Sequence, residues 1–282
     1  MESLYSSIGS LALPGELQNF QQPQLILAFL LSIRVAIVIG MTPILYGMPV
    51  PGRAKMILIL FLSLALATNI STDQPTVINS AGDIFTAALQ EAALGITLAL
   101  GVLLAFAAFG MAGNLLDTQI GFGIAQVFDP SNNLPSPLLT STFNFLAVIV
   151  FFLMDGHHAL LRGLSYSVYA FPVGQPWGMA YAFAPLLKQV AGLFSFGFAL
   201  ASPVVFALLM VEFALSVISR SLPQINMLTM GIPVKILIGV AALSLWFMGM
   251  GSAMSNIYAS IYKTWNAIFI AHAGQLLNIK NV

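Results

Sequence analysis

Three charged residues interrupt long apolar runs of this 282-residue chain: Arg34, Glu91 and Glu212. A charge at mid-depth in a membrane costs about 2.5 to 3.5 kcal/mol on insertion scales, so each should face protein or water. Such residues could relay protons or ions. They could instead form a buried ion pair or a polar cluster that fixes how helices meet. We favour this structural role, because a relay usually groups several acids and histidines on facing helices.

A second polar group, Asp155-Gly156-His157-His158, follows an apolar stretch. Its side chains are of the types that bind a metal or act as a general base. A glycine after an apolar helix is also a common helix cap, and a histidine near a helix C-terminus complements the helix dipole. We favour the cap and predict no metal site.

Motifs of the common hydrolases and nucleotide-binding proteins are absent from the sequence. It contains no Gly-x-Ser-x-Gly, no Gly-x-x-x-x-Gly-Lys-Ser/Thr and no His-Glu-x-x-His. It also has no cysteine, which excludes disulfides and thiolate metal sites, and its net charge of zero does not favour a nucleic-acid partner. We therefore predict that the protein is not an enzyme and has no cofactor.

The composition places the chain in a membrane, since 59% of its residues are hydrophobic and only 6% are charged. A spanning helix takes roughly 20 apolar residues, and lipid tolerates no open sheet edge. We therefore predict an all-α polytopic membrane protein. Residues 1–24 carry no Lys or Arg, so we expect insertion through an internal segment rather than a cleaved signal peptide. The six apolar stretches are Leu25–Leu45, Met56–Ile70, Ile84–Leu116, Leu138–Met154, Val190–Val211 and Ile236–Tyr258.

Basic residues suggest an orientation for these stretches. Arg53 and Lys55 follow the first stretch, and Arg220 and Lys235 lie between the fifth and the sixth. Because cytoplasmic loops are enriched in Lys and Arg, both connections are predicted to face the cytoplasm and both termini the outside.

The segment that follows the third stretch is apolar but too broken for a regular span. Its apolar and glycine residues end at the turn Asp129-Pro130. Irregular backbone at membrane depth is tolerated where it is buried in protein or lines a cavity. The segment is therefore either a plug that closes a pore by contact and dewetting or a helix end with a re-entrant turn. The residues concerned are Gly121, Phe122, Gly123, Ile124, Val127 and Phe128.

Taken together, several short motifs resemble those of the FliR family of type III export-gate proteins and its virulence-system counterpart. The motifs, in chain order, are Arg34 with Pro43, Gln119-Ile-Gly-Phe-Gly123 with Asp129-Pro130, Gly156-His157, Arg220-Ser-Leu-Pro-Gln-Ile-Asn226 and Gly231-Ile-Pro233. The resemblance covers nearly the whole chain.

The resemblance implies a single export-gate domain with two helical halves. Residues 1–180 would be built like FliP and residues 181–282 like FliQ. The protein would be a non-enzymatic subunit of the flagellar gate in the bacterial inner membrane and flagellar basal body. Its partners would be FliP and FliQ, together with FlhB and FlhA, and unfolded flagellar proteins would pass through the channel.

The same resemblance assigns roles to residues. Gly121, Phe122, Gly123, Ile124, Val127 and Phe128 match the family's plug, and Arg220, Pro223, Gln224 and Asn226 match its cytoplasmic hairpin. Two alternatives stay open from the sequence. One is a virulence-system subunit of the same family, and the other is an ion-coupled carrier that uses Glu91, Glu212 and Arg34.

Overall fold

Eight α-helices make up the part of the chain that this computed structural model describes, which is residues 22–43, 51–68, 81–122, 137–221 and 227–279. No strand occurs in these ranges, which confirms the all-helical prediction. The helices are α1 (Gln22–Met41), α2 (Gly52–Thr68), α3 (Ala81–Ile120), α4 (Leu138–Leu153), α5 (Gly156–Ala170), α6 (Ala180–Ser221), α7 (Met227–Phe247) and α8 (Gly251–Ile279).

Four of the described helices are long and apolar enough to cross a membrane: α1, α3, α6 and α7. The pair α4 and α5 passes the same test together but bends by 73° between its two members, so the described residues contain four spans, or five if this pair counts as one broken span. A polytopic membrane protein is thus confirmed. The expectation of six spans was too high for the described residues, because α2 has only 17 residues there.

Two compact units divide the chain. Unit 1 comprises Met1–Gly40, Val50–Ile96 and Phe171–Trp177, and unit 2 comprises Met41–Pro49, Thr97–Ala170 and Gly178–Val282. In unit 2, α6 packs against both α7 and α8, while α5 packs against α4 and α8. The expected division near residue 180 into halves like FliP and FliQ stays a prediction.

An aromatic cluster forms the core of unit 2. The ring of Tyr258 on α8 lies 5.7 Å from Phe106, 5.5 Å from Phe109 and 5.6 Å from Phe151, measured between centroids. The Tyr258 hydroxyl donates to the Ala147 carbonyl at 2.5 Å. Burial raises the pKa of this hydroxyl above its ordinary value of 10, so it stays protonated and keeps donating. The buried aromatic rings and the hydrogen bond of the Tyr258 hydroxyl therefore hold α3, α4 and α8 together.

Trp265 is the largest fully buried side chain among the described residues, with 1% of its surface exposed. Its Nε1 donates to the Leu98 carbonyl at 3.1 Å, and its ring covers the Cα of Gly163 so closely that an added Cβ would overlap it. Because Gly163 has no side chain, the Trp265 ring of α8 can pack directly against α5.

The candidate spans differ in how much of each is buried within the protein. The best spanning window of α3 is 61% buried, whereas those of α6 and α7 are only 22% and 11% buried. Phe194, Phe198 and Phe206 of α6 are among the exposed aromatic side chains. These faces need lipid or other protein to cover them.

The bend between α4 and α5 corrects the expected helix cap. Asp155, and not Gly156, adopts the left-handed backbone conformation, with φ of 55°. Gly156 begins α5 and lies against the Phe151 ring, where a Cβ would clash. His157 and His158 follow in the first turn of a new helix. The expected complement to a C-terminal dipole was therefore wrong.

Candidate functional site

One buried carboxylate joins the two helices on either side of the segment expected to be a plug. Asp117, in the last turn of α3, is 2% exposed. Its Oδ1 accepts from the Leu139 N–H at 2.9 Å. Its Oδ2 accepts from both the N–H and the hydroxyl of Thr140, at 2.7 and 2.9 Å. Leu139 and Thr140 open α4, so residues 118–138 begin and end at the same place.

The local sequence explains why Asp117 takes this position. Pro137 precedes α4 and makes no side-chain cap, so the first N–H groups of that helix lack a local partner. A carboxylate at a helix N-terminus meets free N–H donors and the positive end of the dipole. Asp117 supplies from α3 the cap that the sequence around α4 lacks.

A glycine brings the two helices close enough for this contact. An added Cβ on Gly113 would lie 2.6 Å from the Thr140 Cα and 2.9 Å from the Leu139 carbonyl oxygen. Real Cβ atoms do not approach backbone so closely, and backbone cannot swing aside as a side chain can. Gly113 and Asp117 are one helical turn apart, so they meet α4 with the same face of α3. We call Gly113, Asp117, Leu139 and Thr140 the anchor.

The expected plug starts directly after the anchor. Gly121 has φ of 98°, a conformation that side chains other than glycine rarely adopt, and its N–H donates to the Asp117 carbonyl at 3.1 Å. Gly121 therefore ends α3, and Phe122 follows it half-buried. Gly123, Ile124, Val127 and Phe128 lie outside the described residues, so their plug role stays a prediction.

Arg34 and Glu91 meet within unit 1 in a bidentate ion pair. Arg34 Nε lies 2.6 Å from Glu91 Oε2, and Arg34 Nη2 lies 2.9 Å from Glu91 Oε1. Both side chains are almost fully buried, with 1% and 3% of their surfaces exposed. The pair joins α1 to α3, and a Cβ on Gly95 would lie 3.2 Å from the Arg34 carbonyl oxygen.

The same pair also holds the segment 171–177. Arg34 Nη2 donates to the Phe171 carbonyl at 3.1 Å, and Glu91 Oε1 accepts from the Gly174 N–H at 3.2 Å. Next to it, Gln90 Oε1 accepts from the Trp177 N–H at 2.7 Å. Charges in a low dielectric are stabilised when each is paired and hydrogen-bonded, as here. This geometry holds three segments together.

Glu212 lies elsewhere, on α6, and its partner is Lys235 of α7. The Glu212 side chain is 42% exposed and that of Lys235 is 21% exposed, so this pair is only partly buried. The sequence had assigned Lys235 to a connection, whereas α7 begins earlier, at Met227, and contains both Pro233 and Lys235. Farther from the turn, Trp246 Nε1 donates to the Leu200 carbonyl at 2.8 Å, so α6 and α7 form an antiparallel hairpin.

Of the residues expected in the cytoplasmic hairpin, the structure describes only Arg220. Arg220 lies in the last turn of α6, where a cation complements the negative end of the helix dipole. Pro223, Gln224 and Asn226 lie outside the described residues.

Among the described residues, Asp155, His157 and His158 have donor atoms close enough to share a cation, all within 4.8 Å of one another. His158 Nδ1 already lies 3.4 Å from Asp155 Oδ1, and both side chains are well exposed. The group lies at the bend between α4 and α5, where His157 is half-buried and its Nδ1 has no hydrogen-bond partner among the described residues.

The sequence matches a known protein family over most of its length. The family model described as "Bacterial export proteins, family 1" matches residues 25–261, which is most of the chain. The chain belongs to this family. The matched range of this bacterial export protein takes in the anchor, the Arg34–Glu91 pair and the hairpin of α6 and α7.

Relatives in the family have diverged widely in sequence. The flagellar biosynthetic protein FliR of Bacillus subtilis is 29% identical over 244 residues, covering 84% of this chain and 92% of that protein. FliR of Escherichia coli is 27% identical over 231 residues, covering 82% and 88%. The surface presentation of antigens protein SpaR of Shigella flexneri is 28% identical over 151 residues, covering 54% and 58%.

Reasoning from the sequence of this bacterial export protein missed the anchor. Asp117 was not among the candidate residues. The available signal was its position, because a carboxylate in the last turn of an apolar helix opposes the helix dipole and needs an outside donor. Pro137, which leaves α4 without a cap, marks where such donors lie.

Proposed function

We propose that this chain is a structural pore subunit of the flagellar type III protein export gate, and that it forms a channel with FliP and FliQ for unfolded flagellar proteins. The family and the names of the FliR relatives support this proposal. In it, the chain lies in the bacterial inner membrane as part of the flagellar basal body. FlhB and FlhA are its further neighbours.

The anchor is the observation that carries the pore role. Asp117 and Thr140 hold the two ends of residues 118–138 next to each other. Between these ends the sequence includes Gly121, Gly123 and the apolar residues Phe122, Ile124, Val127 and Phe128. An apolar loop with a fixed base can be displaced by a passing chain and return without any movement of α3 or α4. In this proposal it seals the channel by dewetting when no substrate is present.

The uncovered faces of α6 and α7 support assembly with neighbouring subunits. Little of their spanning windows is buried, and α6 exposes a series of large aromatic side chains. Such faces suit helix packing against FliP-like and FliQ-like partners of similar build. The described charged side chains of the buried site serve the fold and not a reaction, so in this proposal the protein has no catalytic activity.

Two other functions have weaker support. A virulence-system subunit is favoured by the match to SpaR, although that match covers little more than half of each chain. An ion-coupled carrier needs a carboxylate that can release its partner, whereas Glu91 is held by Arg34 and by the Gly174 N–H. Complementation of a flagellar strain that lacks its own subunit separates the flagellar function from the virulence function.

Cross-linking tests the pore role directly, because the chain has no cysteine and an introduced thiol is therefore unique. An export substrate fused to a stably folded domain is arrested in the gate, and the variant Phe122→Cys is treated with a short bifunctional thiol reagent. Tyr169→Cys serves as the control, since Tyr169 is 67% exposed on α5 and lies far along the chain from the plug. We expect a substrate adduct with Phe122→Cys alone.

The opposite result has a clear meaning. Adducts at Tyr169→Cys without adducts at Phe122→Cys would show that the substrate takes another route. Native mass measurement of the complex co-purified with FliP and FliQ first establishes that both variants assemble. A chain that never joins such a complex would refute the proposed function itself.

A further inference from the structure

Asp155, His157 and His158 form a group of metal-ligating side chains at the bend between α4 and α5 in unit 2. The sequence favoured a helix cap over a metal site here, but the two histidines begin α5 instead of ending α4. Two imidazoles and one carboxylate are a common ligand set for Zn²⁺. The described part of the chain contains no other group of three such side chains this close together. None of the three belongs to the anchor.

The backbone fixes the position of Asp155 between the two helices. Its N–H donates to the Phe152 carbonyl at 3.1 Å. Its own carbonyl accepts from the N–H groups of His158 and Ala159, at 3.0 and 3.2 Å. With φ of 55°, Asp155 adopts a conformation that glycine reaches more easily than any residue with a side chain. The carboxylate is therefore attached at a point that hydrogen bonds to both helices define.

The contact between Asp155 and His158 has the length expected for two ligands of one ion. Asp155 Oδ1 and His158 Nδ1 are 3.4 Å apart, whereas N–H···O hydrogen bonds are about 2.7 to 3.2 Å long. Two ligands of a tetrahedral Zn²⁺, each about 2.0 to 2.1 Å from the ion, are about 3.4 Å from each other. A donor atom of His157 lies within 4.8 Å of both. Small side-chain rotations therefore bring all three donors to one ion.

The ring of His157 lacks the hydrogen bond that a histidine kept for packing usually makes. Its Nδ1 is buried and has no partner among the described residues. The ring lies 5.4 Å from the Phe152 ring and 4.1 Å from the His158 ring, measured between centroids. Since no hydrogen bond from Nδ1 holds the ring, it can turn a nitrogen towards an ion. The ion enters past Asp155 and His158, whose side chains are 78% and 66% exposed.

We propose that Asp155, His157 and His158 bind one Zn²⁺ ion. Asp155 contributes a carboxylate oxygen, each histidine contributes a ring nitrogen, and water completes the tetrahedron. The negative end of the α4 dipole and the Asp155 carboxylate favour a cation at this place. The ion links the junction to the first turn of α5, so it stabilises the 73° bend between α4 and α5. Mg²⁺ and Ca²⁺ fit less well, because they prefer oxygen ligands and two of the three donors are nitrogens.

Calorimetric titration of the full chain, purified in detergent with its co-expressed neighbours and treated with a chelator, tests this site. The probes are Zn²⁺ alone and Mg²⁺ alone. We expect one Zn²⁺ to bind per copy of this chain, and no Mg²⁺ to bind at the same concentrations. His158→Gln should weaken Zn²⁺ binding more than about tenfold, because even groups that only support metal ligands contribute about 10- to 100-fold to affinity. Zn²⁺ should also raise the thermal midpoint of the unsubstituted chain, since it binds the folded state.

His272→Gln is the matched control, because it makes the same change at the third histidine of the chain. We expect it to keep the full affinity for Zn²⁺. Asp155→Asn should weaken Zn²⁺ binding as His158→Gln does, but in chelator it should keep the thermal midpoint of the unsubstituted chain, because its side chain is well exposed.

Four results would overturn the proposal. The unsubstituted chain could bind no Zn²⁺, or it could bind Mg²⁺ as tightly as Zn²⁺. Equal affinity for Zn²⁺ in His158→Gln and His272→Gln would show that the ion binds elsewhere. Zn²⁺ that binds without raising the thermal midpoint would overturn its role at the bend. These measurements read metal binding and not export, so a failure here is distinct from a failure of the proposed function.

Discussion

Replacing Asp117 is the sharpest test of the anchor. The carboxylate accepts three hydrogen bonds, two of them from backbone N–H groups at the start of α4 that have no local cap. Asp117→Ala leaves those buried donors without a partner. Hydrogen bonds to a charged group contribute about 1.5 to 3 kcal/mol each, and an orphaned buried donor costs about 1 to 3 kcal/mol. These effects overlap, so we expect a loss of about 3 to 5 kcal/mol in total.

Asp117→Asn should lose about half as much, since one carbonyl oxygen remains as an acceptor. Asp155→Asn is the matched control, because it makes the same chemical change on a carboxylate that is 78% exposed. We expect Asp155→Asn to change stability by less than about 1 kcal/mol.

Two measurements read the outcome. The thermal midpoint of the purified complex, followed by tryptophan fluorescence, should fall on the order of 10 °C for Asp117→Ala. Ion conductance across a planar bilayer should rise in the complexes that remain assembled, because the loop would lose its fixed base. A stability equal to that of Asp155→Asn would refute the anchor. Lower stability with unchanged conductance would refute its connection to the seal.

Three further predictions concern other parts of the chain. Glu91→Gln should lower the free energy of unfolding by about 3 to 5 kcal/mol and reduce the yield of assembled complex. Glu212→Gln, in a partly exposed pair, should lower it by less than about 1 kcal/mol. Equal yields of the two complexes on gel filtration would contradict this ranking. Gly163→Ala should cost about 1 to 3 kcal/mol through overlap with the Trp265 ring, visible as a lower thermal midpoint and a shifted indole emission, and a wild-type midpoint would count against it. Deleting Gly121–Phe128 should leave assembly intact and make the bilayer permeable to small ions, and an unchanged conductance would argue against a plug.

The helices themselves could largely be predicted from the sequence. Long apolar runs fixed the existence of α1, α3, α6 and α7, because lipid and backbone hydrogen bonding leave few other structures. Boundaries were less accessible. The hydropathy of Ile236–Tyr258 does not reveal the turn at residues 248–250 that separates α7 from α8. Lys235 looked like a loop residue because it carries a charge, yet it pairs with Glu212 inside the hairpin.

Contacts between distant residues were the part that the sequence could not supply. Arg34 and Glu91 are 57 positions apart, and only the packing of α1 on α3 brings them together. Asp117 looked unremarkable because its role depends on donors 22 and 23 residues away. Glycines such as Gly113 carry no polarity to notice, although an added methyl there would push two helices apart. Periodicity reports which face of a helix is apolar, but not which face of another helix it meets.

The length of α6 limits where this protein can exist. Its 42 residues extend for about 63 Å, roughly twice the thickness of the hydrocarbon layer. A mostly apolar helix of that length placed alone in a bilayer either tilts strongly or exposes apolar turns to water. Only a sheath of other polypeptides suits its full extent. We expect the chain to aggregate or be degraded when it is synthesised without its neighbouring subunits, and to accumulate when they are co-expressed in the same cell.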